Sequence, residues 1–178
     1  LLPRQRDVLS GTQELDAGGH HRLAGLDAPA KALAEEVRAG FASLAAERAR
    51  ITRPARVLLV LSMAQGRVMV GGRDSTADGI LSLAGAQNAA ADIQGFKPIT
   101  DEAIVAAAPE AVVMMRNGPD APSAETVFAP GTALGQTPAA GKRALIGMDG
   151  LTLLGFGPRT PQAASELMRA LYPDLPRD

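Results

Sequence analysis

The stretch VLLVLSMAQGRVMVGGRDSTADGILSLAGAQNAA, residues 57–90, decides the fold. Residues 57–61 are apolar without polar alternation, the pattern of a strand covered on both faces in a parallel sheet. After an interval that contains Ser62, Met63, Ala64, Gln65 and Gly66, the cluster Gly71-Gly72-Arg73-Asp74 reads as a tight turn. It leads into a helix capped by Asp74 or Ser75, whose apolar positions Ile80, Leu81 and Ala84 are stopped by Gly85. Strand, turn and helix in that order are one unit of an α/β sheet.

The same unit repeats towards the carboxyl terminus. Residues 111–115 and 144–148 are two more short apolar runs bounded by proline, glycine or charge. Between the first two runs, Ile104, Ala107 and Ala108 mark a helix that ends before Pro109, and Thr160-Pro161 opens a final helix with Leu167, Met168 and Leu171 on its buried face. Towards the amino terminus, Leu33, Val37, Phe41 and Leu44 recur at helical spacing over residues 28–50, with Lys31, Glu35, Arg38, Glu47 and Arg48 on a solvated face. Asp27 suits the cap, Pro29 the first turn, and Pro54 prevents continuation. The expected fold is therefore α/β: a three-layer, Rossmann-like open parallel sheet preceded by a long helix. Its segments are an irregular stretch over residues 1–27, the helix over 28–51, the α/β lobe over 52–172 and a tail over 173–178. In such sheets the ligand crevice lies beyond the carboxyl ends of the strands, here after Leu61, Met115 and Met148.

Composition removes several classes of function. The formal net charge is -1 with 21% charged residues, which leaves no basic stripe for nucleic acid. Cysteine is absent, so disulfides, thiolate metal sites and cysteine nucleophiles are all excluded. The charged residues that follow Leu1-Leu2-Pro3 leave no signal-peptide core and no membrane span in the sequence. No glycine-rich phosphate loop stands at a strand-to-helix turn, which disfavours a nucleotide-dependent enzyme. The only histidines, His20 and His21, precede the α/β part and are adjacent, a poor arrangement for a catalytic base or for chelation. Asp74, Asp78, Asp101 and Glu102 fall in first turns of helices, where the dipole accounts for them. The chain reads as a binder and not an enzyme.

Three stretches carry a resemblance: residues 57–90 quoted above, GFKPITDEAIVAAAPEAVVMM over residues 95–115, and MDGLTLLGFGPRTPQAASEL over residues 148–167. Together they resemble the periplasmic hemin-binding proteins of bacterial heme ABC importers, a class related to cobalamin and siderophore binders. The resemblance implies two α/β lobes joined by one long helix, with hemin carried between them and delivered to a permease dimer. Residues 28–51 would be that interlobe helix and residues 52–172 the second lobe, with the first lobe missing or reduced to residues 1–27. The family's iron ligands are a first-lobe tyrosine and sometimes a histidine in the loop after the first strand of the second lobe. Met63 and Gln65 occupy that loop here, Met63 being the weak candidate for iron. By the same resemblance Arg73 would meet a propionate or an axial tyrosine, Phe96 and Lys97 in the loop before the Thr100 helix would form the rim, and Phe156 would cover a porphyrin face. Glu102 would dock on the permease, and Tyr172 would be a packing residue. Rivals are a cobalamin or siderophore binder of the same class, or a ligand-free module that forms homodimers by exchanging the exposed helix.

Overall fold

The computed structural model describes residues 13–15, 21–23, 27–64, 66–116 and 122–176. Two short strands, β1 (Gln13–Leu15) and β2 (His21–Leu23), pair with each other antiparallel. They precede α1 (Asp27–Arg48), whose 22 residues span about 33 Å.

The lobe that follows is a six-stranded sheet. Its strands are β3 (Arg56–Ala64), β4 (Arg67–Gly71), β5 (Gln87–Asn88), β6 (Phe96–Ile99), β7 (Ala111–Arg116) and β8 (Leu145–Asp149). The order is β6-β4-β3-β7-β8, with β5 pairing to the start of β3. The three apolar runs of the sequence are β3, β7 and β8, and they pair in parallel as expected.

The rest of the sheet adds two antiparallel strands to this parallel core. β4 runs antiparallel to β3, and β6 antiparallel to β4. The cause is the link: Ala64 pairs with Arg67, with only two positions of the chain between them and Gly66 at φ 71°. Two residues join antiparallel neighbours only, because a parallel crossover needs a dozen or more. The interval after Leu61 is therefore a hairpin and not a loop. Likewise Phe96 and Lys97 lie in the edge strand β6, opposite Gly71 and Val70, and not in a loop.

Helices cover both faces. On one, α1, α2 (Thr76–Leu83), α6 (Gly150–Leu154) and α7 (Thr160–Leu171) enclose Leu44, Ile80, Leu81, Leu153, Leu167 and Met168 against Val57, Leu59 and Val113. On the other, α3 (Asp101–Ala107), α4 (Ala124–Val127), the 3-10 turn Leu134–Gln136 and α5 (Pro138–Gly141) place Ile104, Val127, Leu134 and Ala139 against Leu58, Val60, Val112 and Met114. Alternate residues of β3 thus feed two cores. Each fully buried Leu or Ile contributes about 1.5–3 kcal/mol.

Local signals set the helix ends. The Ser75 and Thr100 hydroxyls accept from the backbone N–H groups of Asp78 and Ala103, so α2 is capped by Ser75 and not Asp74. Pro161 stands in the first turn of α7, but Arg159 occupies the cap position and Thr160 Oγ1 accepts instead from the Gly157 N–H. α1 departs from its sequence pattern. Of its apolar stripe only Leu44 is buried, at 3% exposure, while Leu33 and Phe41 are 47% and 37% exposed. Its contacts with the lobe are made by its later turns, where Gly40 lies against Pro161 and Arg48 against Gly85. The helix extends beyond the core it serves.

Candidate ligand-binding site

Because β3, β7 and β8 are parallel, their carboxyl ends at Ala64, Arg116 and Asp149 lie on one side of the sheet. The hairpin carries β3 beyond its neighbours there. Its outer end borders a cleft of about 480 Å³ lined by Met63, Arg67 and Asp101, with the apolar Val68, Ile104 and Leu134 as its floor. The floor residues are buried and belong to the second core, whereas Met63 is 36% exposed. A thioether over an apolar floor suits a large flat ligand by polarizable contact. Gln65 lies outside the described residues.

The other expected residues gather elsewhere, around the first turns of α2. The Arg73 backbone is fixed by bonds from its N–H to the Ile93 carbonyl, 2.8 Å, and from the Gly95 N–H to its own carbonyl, 2.9 Å. Its guanidinium is exposed, with Nε 3.9 Å from Asp74 Oδ2, a pair that solvent leaves weak. The Phe96 ring lies beside Gly71, 3.2 Å from where a Cβ would stand, and is 42% exposed. Lys97 follows it on the same edge strand, also exposed. Phe156, 50% exposed, rests its ring over Gly79 of α2. The structure thus divides the expected wall in two, with Met63 at the hairpin end and Arg73, Phe96, Lys97 and Phe156 around the start of α2 and its neighbouring edge strand.

Gly71 and Gly72 in that second group are explained by packing. A Cβ would stand 2.1 Å from the Ala77 Cβ at Gly71, and 2.1 Å from the Ile93 carbonyl oxygen at Gly72. Asn88 ties the turn down, donating to the Gly71 carbonyl at 3.1 Å and to Asp78 at 3.0 Å while accepting from the Ala90 N–H. With the strand and helix this close, the glycines are a steric requirement and need no phosphate to account for them.

Glu102 is exposed in the first turn of α3, next to the Thr100 cap. Asp149 caps α6: the Thr152 N–H donates to it at 2.9 Å and its hydroxyl at 3.0 Å. The Thr152 backbone bond in particular holds the Asp149 carboxyl below its ordinary pKa, with Arg116 adding a smaller effect. Tyr172 is a packing residue as expected. Its hydroxyl accepts from the Ala55 N–H at 2.9 Å and donates to the Gly85 carbonyl at 2.7 Å. His20 lies outside the described residues, and of His21 only the backbone in β2 is described. Among the described residues no group of three or more His, Cys, Asp or Glu side chains is arranged for a metal. No described helix is long and apolar enough to cross a membrane.

The sequence reading passed over Arg67 and assigned Asp101 only to a helix start. The usable signal was the Gln65-Gly66 turn followed by Val68 and Val70, which marks a second strand and so brings Arg67 opposite Ala64.

Comparison with known proteins follows from this fold. Residues 22–150 match the model of the periplasmic binding protein family. Among solved structures, the chain is similar to the periplasmic heme-binding protein RhuT of Roseiflexus sp. RS-1 in apo form, with 34% identity over 84% of this chain and 57% of that one, at a TM-score of 0.76. It is similar to the periplasmic heme-binding protein BhuT in complex with two hemes, at 35% identity over 84% of this chain and 56% of that one, TM-score 0.72. The periplasmic heme-binding protein HutB of Vibrio cholerae shares 30% identity over 81% of this chain and 56% of its own, also at 0.72. The chain spans between half and three fifths of the length of these relatives. A search of curated proteins finds no match.

Proposed function

The chain belongs to the periplasmic binding protein family, and from that premise we propose that it forms one wall of a hemin cleft in a carrier that serves an ABC importer. The observation that carries this reading is the likeness, at 30–35% identity and over more than four fifths of the chain, to three periplasmic heme-binding proteins. The work is binding without catalysis: the lobe offers apolar and methionine contacts to a porphyrin face and passes its cargo on in the periplasm.

On this reading Met63 and Gln65 border the ligand at the hairpin end, and Phe96, Lys97, Phe156 and Arg73 extend the wall along the start of α2. Iron is the cargo's own metal. A thioether is a soft ligand that binds ferric iron weakly, so the lobe contributes a surface more than an axial bond. Hemin titration of this chain, followed at the Soret band, is expected to give a weak, saturable shift that cobalamin and ferric siderophores do not compete away. Complete displacement by either competitor, or tight stoichiometric hemin binding by this chain, would overturn that assignment.

Glu102 is proposed as a contact to the permease dimer, being a free carboxylate on an exposed first turn. Glu102→Arg in the transporting protein should reduce hemin import several-fold while leaving hemin binding unchanged. Unimpaired import would remove Glu102 from the docking surface.

A further inference from the structure

Resting on the hemin reading above, we propose that Arg67 is the residue through which this lobe holds a hemin propionate, a role the family resemblance had given to Arg73.

Four observations converge. Arg67 sits at the base of the hairpin turn, paired with Ala64, on the side of the sheet where the parallel strands end. Its side chain lines the same cleft as Met63, over the apolar floor of Val68, Ile104 and Leu134. Among the described residues its guanidinium takes part in no ion pair or side-chain hydrogen bond, so it is available without breaking an existing contact. Arg73, in contrast, stands two residues past Gly71, the end of β4 that lies about 13 Å along the strand from Arg67, and beside the Asp74 carboxylate.

The chemistry of the cleft matches an amphiphilic anion. An apolar body lies against the floor and Met63, and a carboxylate at its edge meets a planar fork of five N–H donors in bidentate geometry. Asp101, which lines the same cleft, acts against this: no ion pair within 4.0 Å joins it to Arg67, so its charge opposes an incoming propionate. The cleft therefore contains one attractive and one repulsive charge, and the two substitutions that remove them have opposite predicted effects.

The test is titration of hemin and of hemin dimethyl ester, which lacks the free carboxylates, into this chain as wild type, Arg67→Gln, Arg67→Lys and Asp101→Asn. Arg67→Gln should weaken hemin about fivefold and leave the dimethyl ester unchanged, the size expected of a partly exposed charge-assisted contact. Arg67→Lys should restore part of the loss, and Asp101→Asn should tighten hemin about twofold. Equal hemin affinity in wild type and Arg67→Gln, or an equal loss of both ligands, would overturn the assignment while leaving the hemin reading in place. Absence of any hemin signal from wild type would overturn both together.

Discussion

The two ends of the sheet are built on different principles. At the amino-terminal end, side chains staple backbone: Tyr172 clasps Ala55 and Gly85, and Glu110 accepts from the Arg56 N–H at 3.1 Å and from Arg53 at 2.6 Å. The Arg56 guanidinium donates in turn to the Ala107 carbonyl at 2.9 Å. The Arg56 N–H, helped by the Arg53 charge and opposed by burial, keeps the Glu110 carboxyl below its ordinary pKa. At the carboxyl-terminal end, Met63, Ala64, Gly66 and Arg67 are exposed. Groups already bonded to backbone hold a fold together, and groups left unpaired above an apolar floor are those a ligand can use. The contrast separates residues committed to the fold from residues left open to a ligand.

The largest test of that contrast is at the stapled end. Gly85 has φ +73°, and a Cβ there would stand 2.3 Å from Ile51 Cδ1 and 3.1 Å from Arg48 Cγ. Gly85→Ala imposes left-handed strain and makes the Ile51 side-chain tip turn aside in the layer that joins α1 to the lobe. A loss of about 3 kcal/mol is expected in urea unfolding, with the hemin titration of the surviving folded fraction unchanged. A loss below about 0.5 kcal/mol would show that this end is not the rigid one.

Next in size is Tyr172→Phe, which removes two bonds and leaves the Ala55 N–H without its partner, for a loss of about 2 kcal/mol. Its pH dependence carries a sign. Burial, with a smaller effect from Glu110, raises the Tyr172 pKa above its ordinary 10.0, against the Ala55 bond that lowers it. A group whose folded pKa is raised contributes stability in full below the unfolded value and loses it as pH rises through the folded one. Wild-type stability should therefore fall above about pH 10 with a component that Tyr172→Phe lacks. Parallel alkaline profiles for the two proteins would sever Tyr172 from the staple.

How much of this was legible in sequence follows from which residues are read locally. The runs that became β3, β7 and β8 were legible because strands covered on both faces carry few polar residues, and the start of α2 at Asp74 or Ser75 was legible because a cap depends on a neighbour three positions away. The strand β4 was hidden because Arg67-Val68-Met69-Val70 sits between glycines, and the strength of the Gly71-Gly72 turn drew the reading past the Gln65-Gly66 turn. β6 was hidden by Pro98, which a strand tolerates here because it lies at the sheet edge. The cleft was illegible for another reason: Met63, Arg67, Asp101 and Leu134 are separated by up to 71 positions, and only the hairpin register brings them together. Family resemblance assigned Met63 and Arg73 to one ligand site, which the antiparallel course of β4 divides between two groups.

The smallest expected effect on stability, and the sharpest test of the open end, is Met63→Ala. A buried methionine cut to alanine costs about 2–5 kcal/mol, but Met63 is 36% exposed and its loss removes contacts to no closed core. Its stability change should stay within about 0.5 kcal/mol, the range of a surface substitution. Hemin affinity should nevertheless fall, because the thioether lies over the floor that a porphyrin would cover and alanine cannot reach it. Unfolding and hemin titration of the same variant therefore separate the two roles. A large stability loss with unchanged hemin affinity would make Met63 part of the core, and the two ends of the sheet would then differ in exposure alone.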